Sequence, residues 1–170
     1  MDLTQFIRDI PDFPKEGIIF KDITPLLKDP AALKHAVKLI HEHYADAGVT
    51  AVAGIESRGF IFGCPIANSF GVGFIPIRKP GKLPYDTYRE EYSLEYGTDC
   101  IEMHTDAVGP GDRVLIVDDL LATGGTAAAA RNLVEKAGAT VVGFGFVIEL
   151  GFLNGIEKLK DAHVFSLIKY

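Results

Sequence analysis

The chain has 170 residues, 48% hydrophobic and 24% charged, which is enough for one well-filled core and short for two. A formal charge of −6 argues against a general polyanion binder, because a phosphodiester backbone needs a basic face, so nucleic acid is not an expected partner. Two cysteines, Cys64 and Cys100, form no Cys-x-x-Cys pair and imply neither a disulfide framework nor a zinc site; a reducing, cytoplasmic setting fits, and no apolar run is long enough for a membrane span.

The opening segment, residues 1–28, contains "DIPDFPKEGIIFKDITP", where prolines 11, 14 and 25 and Gly17 predict an irregular cap whose apolar residues Phe13, Ile18, Ile19 and Phe20 pack over something. Next, "DPAALKHAVKLIHEHYADAG" reads as an amphipathic helix. Asp29 is its N-cap, Pro30 its first residue and Gly48 its stop, with Leu33, Ala36, Val37, Ile40 and Tyr44 on one stripe. The segments "VTAVAGI", "VGFIPI", "RVLIV", "TVVGFGFVI" and "HVFSLI" are short, apolar and rich in β-branched residues, as buried parallel strands are. Between the second and third of them, residues 79–105 are rich in proline, tyrosine and charge and predict a flexible loop leading into a hairpin. "TAAAARNLVEKAG" predicts a crossover helix with Ala127, Ala130, Leu133, Val134 and Ala137 on one face, ending at Gly138. The fold class is therefore α/β, one domain over 1–170, with a mainly parallel central sheet flanked by helices. The histidines offer no i, i+4 metal pair and are expected to be structural or exposed.

The chemistry concentrates in "RVLIVDDLLATGGT". Asp118 and Asp119 fall at the carboxyl end of a predicted strand, where open α/β sheets bind ligands. The loop after them offers backbone N–H groups, the hydroxyls of Thr123 and Thr126, and the positive end of a helix. It lacks the lysine of a Walker A loop and the spacing of a dinucleotide fingerprint, so a phosphate monoester suits it better than either nucleotide class. Carboxylates accept well from vicinal hydroxyls, so the acids and the loop together describe ribose 5-phosphate. On residue types alone, a tight Gly124–Gly125 turn capped by the aspartates stays open. A magnesium-dependent phospho-acceptor is disfavoured because its acidic pair belongs near the first strand.

"VLIVDDLLATGGT" resembles the phosphoribosyl pyrophosphate signature of the type I phosphoribosyltransferases. "FPKEGIIFKDITPLLKDP", "GIESRGFIFG", "IRKPGKLP", "YSLEYG" and "VIEL" resemble, in order, segments of its adenine phosphoribosyltransferases. The resemblance covers nearly the whole chain and implies transfer of a phosphoribosyl group to adenine, with an N-terminal cap over the base site and a flexible catalytic loop. It implies that Ala122, Thr123, Gly124, Gly125 and Thr126 hold the 5-phosphate, that Asp118 and Asp119 engage the ribose hydroxyls, and that Arg58, Lys79, Arg78 and Lys82 face the pyrophosphate. Glu95 would be the acid/base, Tyr96 a phosphoribosyl contact, and Phe20 and Leu150 the walls of the adenine site, its edge read by backbone around Ile19 and Lys21. Magnesium is expected to be held mainly through the substrate with no direct protein ligand. A homodimer and a cis peptide at Glu56–Ser57 are implied as well. The segment "IELGF" lacks the aspartate–lysine features associated with 6-oxopurine enzymes, which favours adenine.

Overall fold

The computed structural model describes residues 1–93 and 97–170. Among these, the five apolar segments form a five-stranded, all-parallel sheet: β3 (Ala51–Ile55), β4 (Gly73–Ile77), β7 (Arg113–Leu121), β8 (Thr140–Glu149) and β9 (Val164–Lys169), in the spatial order β4-β3-β7-β8-β9. Alternation along each strand sends side chains to two separate cores. Ala51, Ala53, Ile55, Val114, Ile116, Phe144 and Phe146 face helix α4 (Gly125–Lys136), while Val52, Leu115 and Val117 face α2 (Pro30–His43) and α3 (Arg58–Phe70). Both faces are covered, which is why these strands read as continuous apolar runs rather than as alternating ones. No helix among the described residues is long and apolar enough to cross a membrane.

Helix α2 begins as expected, with the Asp29 carboxylate accepting from the N–H groups of Ala31 and Ala32. It ends four residues before Ala47 rather than running to Gly48. Tyr44 leaves helical geometry so that its hydroxyl can donate to the carbonyl of Phe144, 2.8 Å away. Ala36, Ile40 and Tyr44 of the predicted stripe are buried, together with Ala32, while Leu33 and Val37 pack at the margin.

One expectation needs correction. The cap over 1–28 is more regular than its prolines suggest. A 3-10 turn at Leu3–Phe6 leads to an antiparallel ribbon of β1 (Arg8–Pro11) and β2 (Ile19–Asp22), followed by the short helix α1 (Thr24–Lys28). The turn between the strands is tied by the Asp12 carboxylate, which accepts from Gly17 N–H at 2.8 Å, and Pro11 sits where the ribbon ends. Within the region 79–105, β5 (Thr87–Ser93) pairs with β6 (Thr98–His104) as an antiparallel hairpin. Ile101 and Met103 of β6 are fully buried in the α4-side core, and backbone bonds between Arg78 and Glu102 anchor the hairpin to the end of β4.

The sequence separates His43 from His163, but the fold brings their Nε2 atoms to 2.6 Å, with the His43 ring stacked on Phe165 at 3.8 Å. One ring donates and the other accepts. Burial, then the neighbouring His163, holds the His43 imidazole below its ordinary value. A depressed folded pKa means the contribution is intact above about pH 6.5 and is lost as the pH falls below it. Thermal melts between about pH 7.5 and 5.5 should therefore show a decline that is shallower in His43→Gln; parallel curves for the two proteins would rule the pair out as its source.

Candidate active site

The site forms where β3 ends and β7 does not. Pairing between them stops at Gly54–Val117, yet β7 runs on to Leu121 while paired with β8 on its other side. The edge that β3 vacates is filled by the turn at Glu56–Ser57, whose peptide bond is cis, and by the start of α3. Asp118 and Asp119 thus lie inside the strand, with the first turn of a helix against them. A side chain at Gly59 would come within 2.9 Å of Asp118 Oδ1 and of the Val117 carbonyl, so only glycine lets α3 approach this closely.

Asp119 is almost fully buried at 4% exposure, and Arg58 Nε lies 3.0 Å from its Oδ2. Asp118 Oδ1 accepts from the N–H of Asp119 at 2.9 Å. Burial, then repulsion from Asp119, raises the Asp118 carboxyl well above its usual range; burial also raises Asp119, against the opposing pull of Arg58. Two adjacent, poorly solvated acids with one cation between them are a site awaiting donors.

Beyond the acids, a small open cleft is lined by Asp118, Leu120, Leu121, Ala122, Thr123, Gly124, Thr126 and Ala127. Gly124 adopts the left-handed conformation (φ +78°) and α4 begins at Gly125 with no side chain capping its first amides. Gly124 and Gly155 have no room for a side chain. A Cβ on Gly124 would collide with the carbonyl of Gly155, and one on Gly155 would collide with the carbonyl of Ala122 and the N–H of Gly124. The 3-10 turn Gly155–Leu159 therefore braces the loop from behind. Helix α3 also starts without a side-chain cap, at Ser57. The acids thus stand between two uncapped helix starts, each suited to an anion.

The remaining expected cations are already engaged. Arg78 Nε and Lys82 Nζ contact the two oxygens of Glu56, at 2.8 and 2.7 Å. Burial pushes the Glu56 carboxyl up, but the hydrogen bonds from Lys82 and Arg78 outweigh it and bring it below its usual value. Lys79 is bound to Asp99, with the Tyr92 hydroxyl 3.3 Å from its Nζ, and the Asp99 carboxyl is lowered chiefly by that lysine. Glu56, Asp99 and Tyr92 were not singled out from the sequence, although Glu56 directly precedes the basic turn. Glu95 and Tyr96 lie outside the described residues.

Among the base-site candidates, Phe20 is half-buried on β2, edge-on to Phe13 at 5.2 Å, with the Arg58 guanidinium 5.5 Å from its ring. Ile19 is 56% exposed. Lys21 pairs with Asp9 at 2.8 Å and lies 3.8 Å over the Tyr170 ring. Leu150 is partly buried, and its N–H donates to the Leu121 carbonyl at 2.9 Å, next to the acidic strand. Arg58 is thus the residue that links the cap to the acids.

Residues 22–169 match the phosphoribosyl transferase domain family. The chain is 57% identical to the adenine phosphoribosyltransferase of Thermosynechococcus vestitus over 170 residues, covering 100% of both. The crystal structure of adenine phosphoribosyltransferase from Thermoanaerobacter pseudethanolicus superposes with a TM-score of 0.96 at 52% identity, covering 99% of this chain and 98% of that one. The Saccharomyces cerevisiae enzyme, solved with an imino-altritol bisphosphate and adenine, superposes with a TM-score of 0.91 at 43% identity, covering 97% and 96%. With two acids between uncapped helix starts and this likeness over its full length, the chain belongs to the adenine phosphoribosyltransferases of the phosphoribosyl transferase domain family.

Proposed function

We propose that this cleft transfers the 5-phosphoribosyl group of phosphoribosyl pyrophosphate to adenine, giving AMP and pyrophosphate in purine salvage. The observation that carries the assignment of roles is the placing of Asp118 and Asp119 between two uncapped helix starts. The substrate has the same order of charge: a phosphate at one end, a vicinal diol in the middle and a diphosphate at the other end. Ala122 to Thr126 hold the 5-phosphate through the amides of the α4 start and the Thr123 and Thr126 hydroxyls. Asp118 and Asp119 accept from the diol. Arg58, at the start of α3, leaves Asp119 for the diphosphate and stabilises the charge that grows there as the bond to C1 breaks.

Lys79, Arg78 and Lys82 are the further diphosphate contacts, and reaching it requires them to release Asp99 and Glu56. Adenine lies against Phe20, with Leu150 opposite. Ile19 and Lys21 have the same parity on β2, so their backbone groups point to one side of the strand and can read one edge of the base. Glu95 takes the N9 proton as the base attacks, and Tyr96 contacts the phosphoribosyl group. Loop closure within the segment from Leu83 to Met103, whose β6 end stays anchored in the core, excludes water.

Magnesium is the cofactor of this reading. Both acids are committed to the diol, so the hard oxygen ligands the ion needs come mainly from the substrate. When bound, it neutralises the leaving diphosphate. We further place the enzyme in the cytoplasm, which suits the free thiols of Cys64 and Cys100, and as a homodimer, for which Ile61 on α3 and Tyr85, 40% and 57% exposed, are apolar contact candidates.

A base panel tests the assignment. With magnesium and phosphoribosyl pyrophosphate, adenine should be converted to AMP, and hypoxanthine and guanine should react far more slowly. Faster turnover of either oxopurine would overturn the choice of base, and binding without turnover would make the protein a sensor rather than an enzyme.

A further inference from the structure

The phosphate loop lacks the lysine that a Walker A loop carries within its own sequence. Backbone amides and two hydroxyls alone would then face a group of nearly two negative charges. The fold supplies a cation from elsewhere in the chain. Lys158, on the 3-10 turn Gly155–Leu159, directs its ammonium to within 3.8 Å of the Cβ position of Gly125, the first residue of α4. This is the turn whose Gly155 is packed against the loop backbone, so the lysine is carried on a bracket fixed to the cradle itself.

Among the described residues its charge is also uncommitted. Arg58, Arg78, Lys79 and Lys82 are each paired with a carboxylate, and the neighbouring Lys160 is paired with Glu157. Lys158, among the described residues, has no carboxylate within salt-bridge distance, although Glu157 is adjacent in the chain. An exposed ammonium held beside the first residue of an uncapped helix, on a turn packed against the loop, has the geometry of an anion contact.

We infer that Lys158 is a substrate-binding residue for the 5-phosphate end of phosphoribosyl pyrophosphate and AMP, replacing in space the lysine that the loop lacks in sequence. The inference rests on the reading of Ala122 to Thr126 as the phosphate cradle. Its contribution is to binding rather than to chemistry at C1, because the phosphate is the remote end of the substrate. A charge-assisted contact at a solvent-open site corresponds to about a tenfold change in affinity.

Calorimetric titration with AMP, adenosine and pyrophosphate tests it in three proteins: the parent, Lys158→Gln, and a loop variant carrying Thr123→Val and Thr126→Val. Lys158→Gln should bind AMP about tenfold more weakly, with adenosine and pyrophosphate affinities unchanged and a shallower salt dependence for AMP. Lys158→Arg should recover most of the loss. Unchanged AMP affinity in Lys158→Gln alongside a weakened loop variant overturns the role of Lys158 while leaving the cradle standing. If the loop variant also binds AMP at full strength, the cradle reading falls with it. Weakened pyrophosphate binding with AMP unaffected would assign the lysine to the opposite end and overturn the inference. A melting curve of Lys158→Gln matching the parent is expected from the exposure of the side chain.

Discussion

Asp118→Asn combined with Asp119→Asn should give a protein that melts at least as high as the parent and binds phosphoribosyl pyrophosphate about 10²- to 10⁴-fold more weakly. The two effects share one cause. Both carboxyls have folded-state values raised above their unfolded ones, by burial first and, for Asp118, then by its neighbour. A raised value means the contribution to stability is complete below the unfolded pKa and is lost as the pH rises through the folded one, so at neutral pH the ionised pair is a burden on the fold. Asparagine removes that burden, and its side-chain oxygen at 118 can still accept from the N–H of residue 119. Arg58 loses its partner, but at 39% side-chain exposure it stays solvated. In the proposed role, what asparagine removes is the anionic acceptor for two hydroxyls, and hydrogen bonds to charged groups contribute about 1.5–3 kcal/mol each. Melting curves and calorimetry on the same samples separate the roles. A lower melting temperature with unchanged affinity would return the aspartates to a purely structural role. The melting advantage of the variant should shrink toward low pH, where the parent's acids become protonated.

Glu95→Gln should lower kcat by about 10²- to 10⁴-fold with little change in either Michaelis constant. The substitution keeps the shape and removes the group proposed to take a proton from the purine. β5 ends at Ser93, and its carbonyl lies 3.3 Å from the Cβ position of Gly125, so the hairpin delivers the chain to the mouth of the phosphate cleft just before Glu95. Steady-state kinetics with both substrates varied, together with a single-turnover measurement, checks the expectation even if product release limits the parent. Full kcat in a folded Glu95→Gln protein would remove the residue from the chemistry.

How far the site could be read from the sequence depended on how much of it is contiguous. Asp118 to Thr126 lie in one run, strand then loop then helix, and the physics of that run is local, so both acids and the loop amides could be read directly. The parallel strands were equally plain, because burial on both faces leaves nothing polar to disguise them. Features made by distant segments were hidden. Glu56 holds Arg78 and Lys82 from 22 and 26 residues away, and Gly155 meets Gly124 across helix α4 and strand β8. His43 and His163 are 120 residues apart. No periodicity or local spacing reports such pairs. The cap misled for a different reason: proline and glycine mark breaks in long elements, but a four-residue ribbon closed by an aspartate turn fits between them.

The contact between Gly124 and Gly155 bears on the thermodynamics of ligand capture. A glycine loop facing solvent would ordinarily sample many conformations, and closing it on a phosphate would cost conformational entropy at each residue. Here the left-handed residue is wedged against a second backbone, which follows β8 in the chain and is tied to the end of β7 by the bond from Leu150 N–H to the Leu121 carbonyl. That entropy is lost once, during folding, rather than at every turnover. Binding of the phosphate end should therefore carry a small entropic penalty for the loop itself, with the ordering cost of substrate capture concentrated in the cations that must exchange Glu56 and Asp99 for diphosphate.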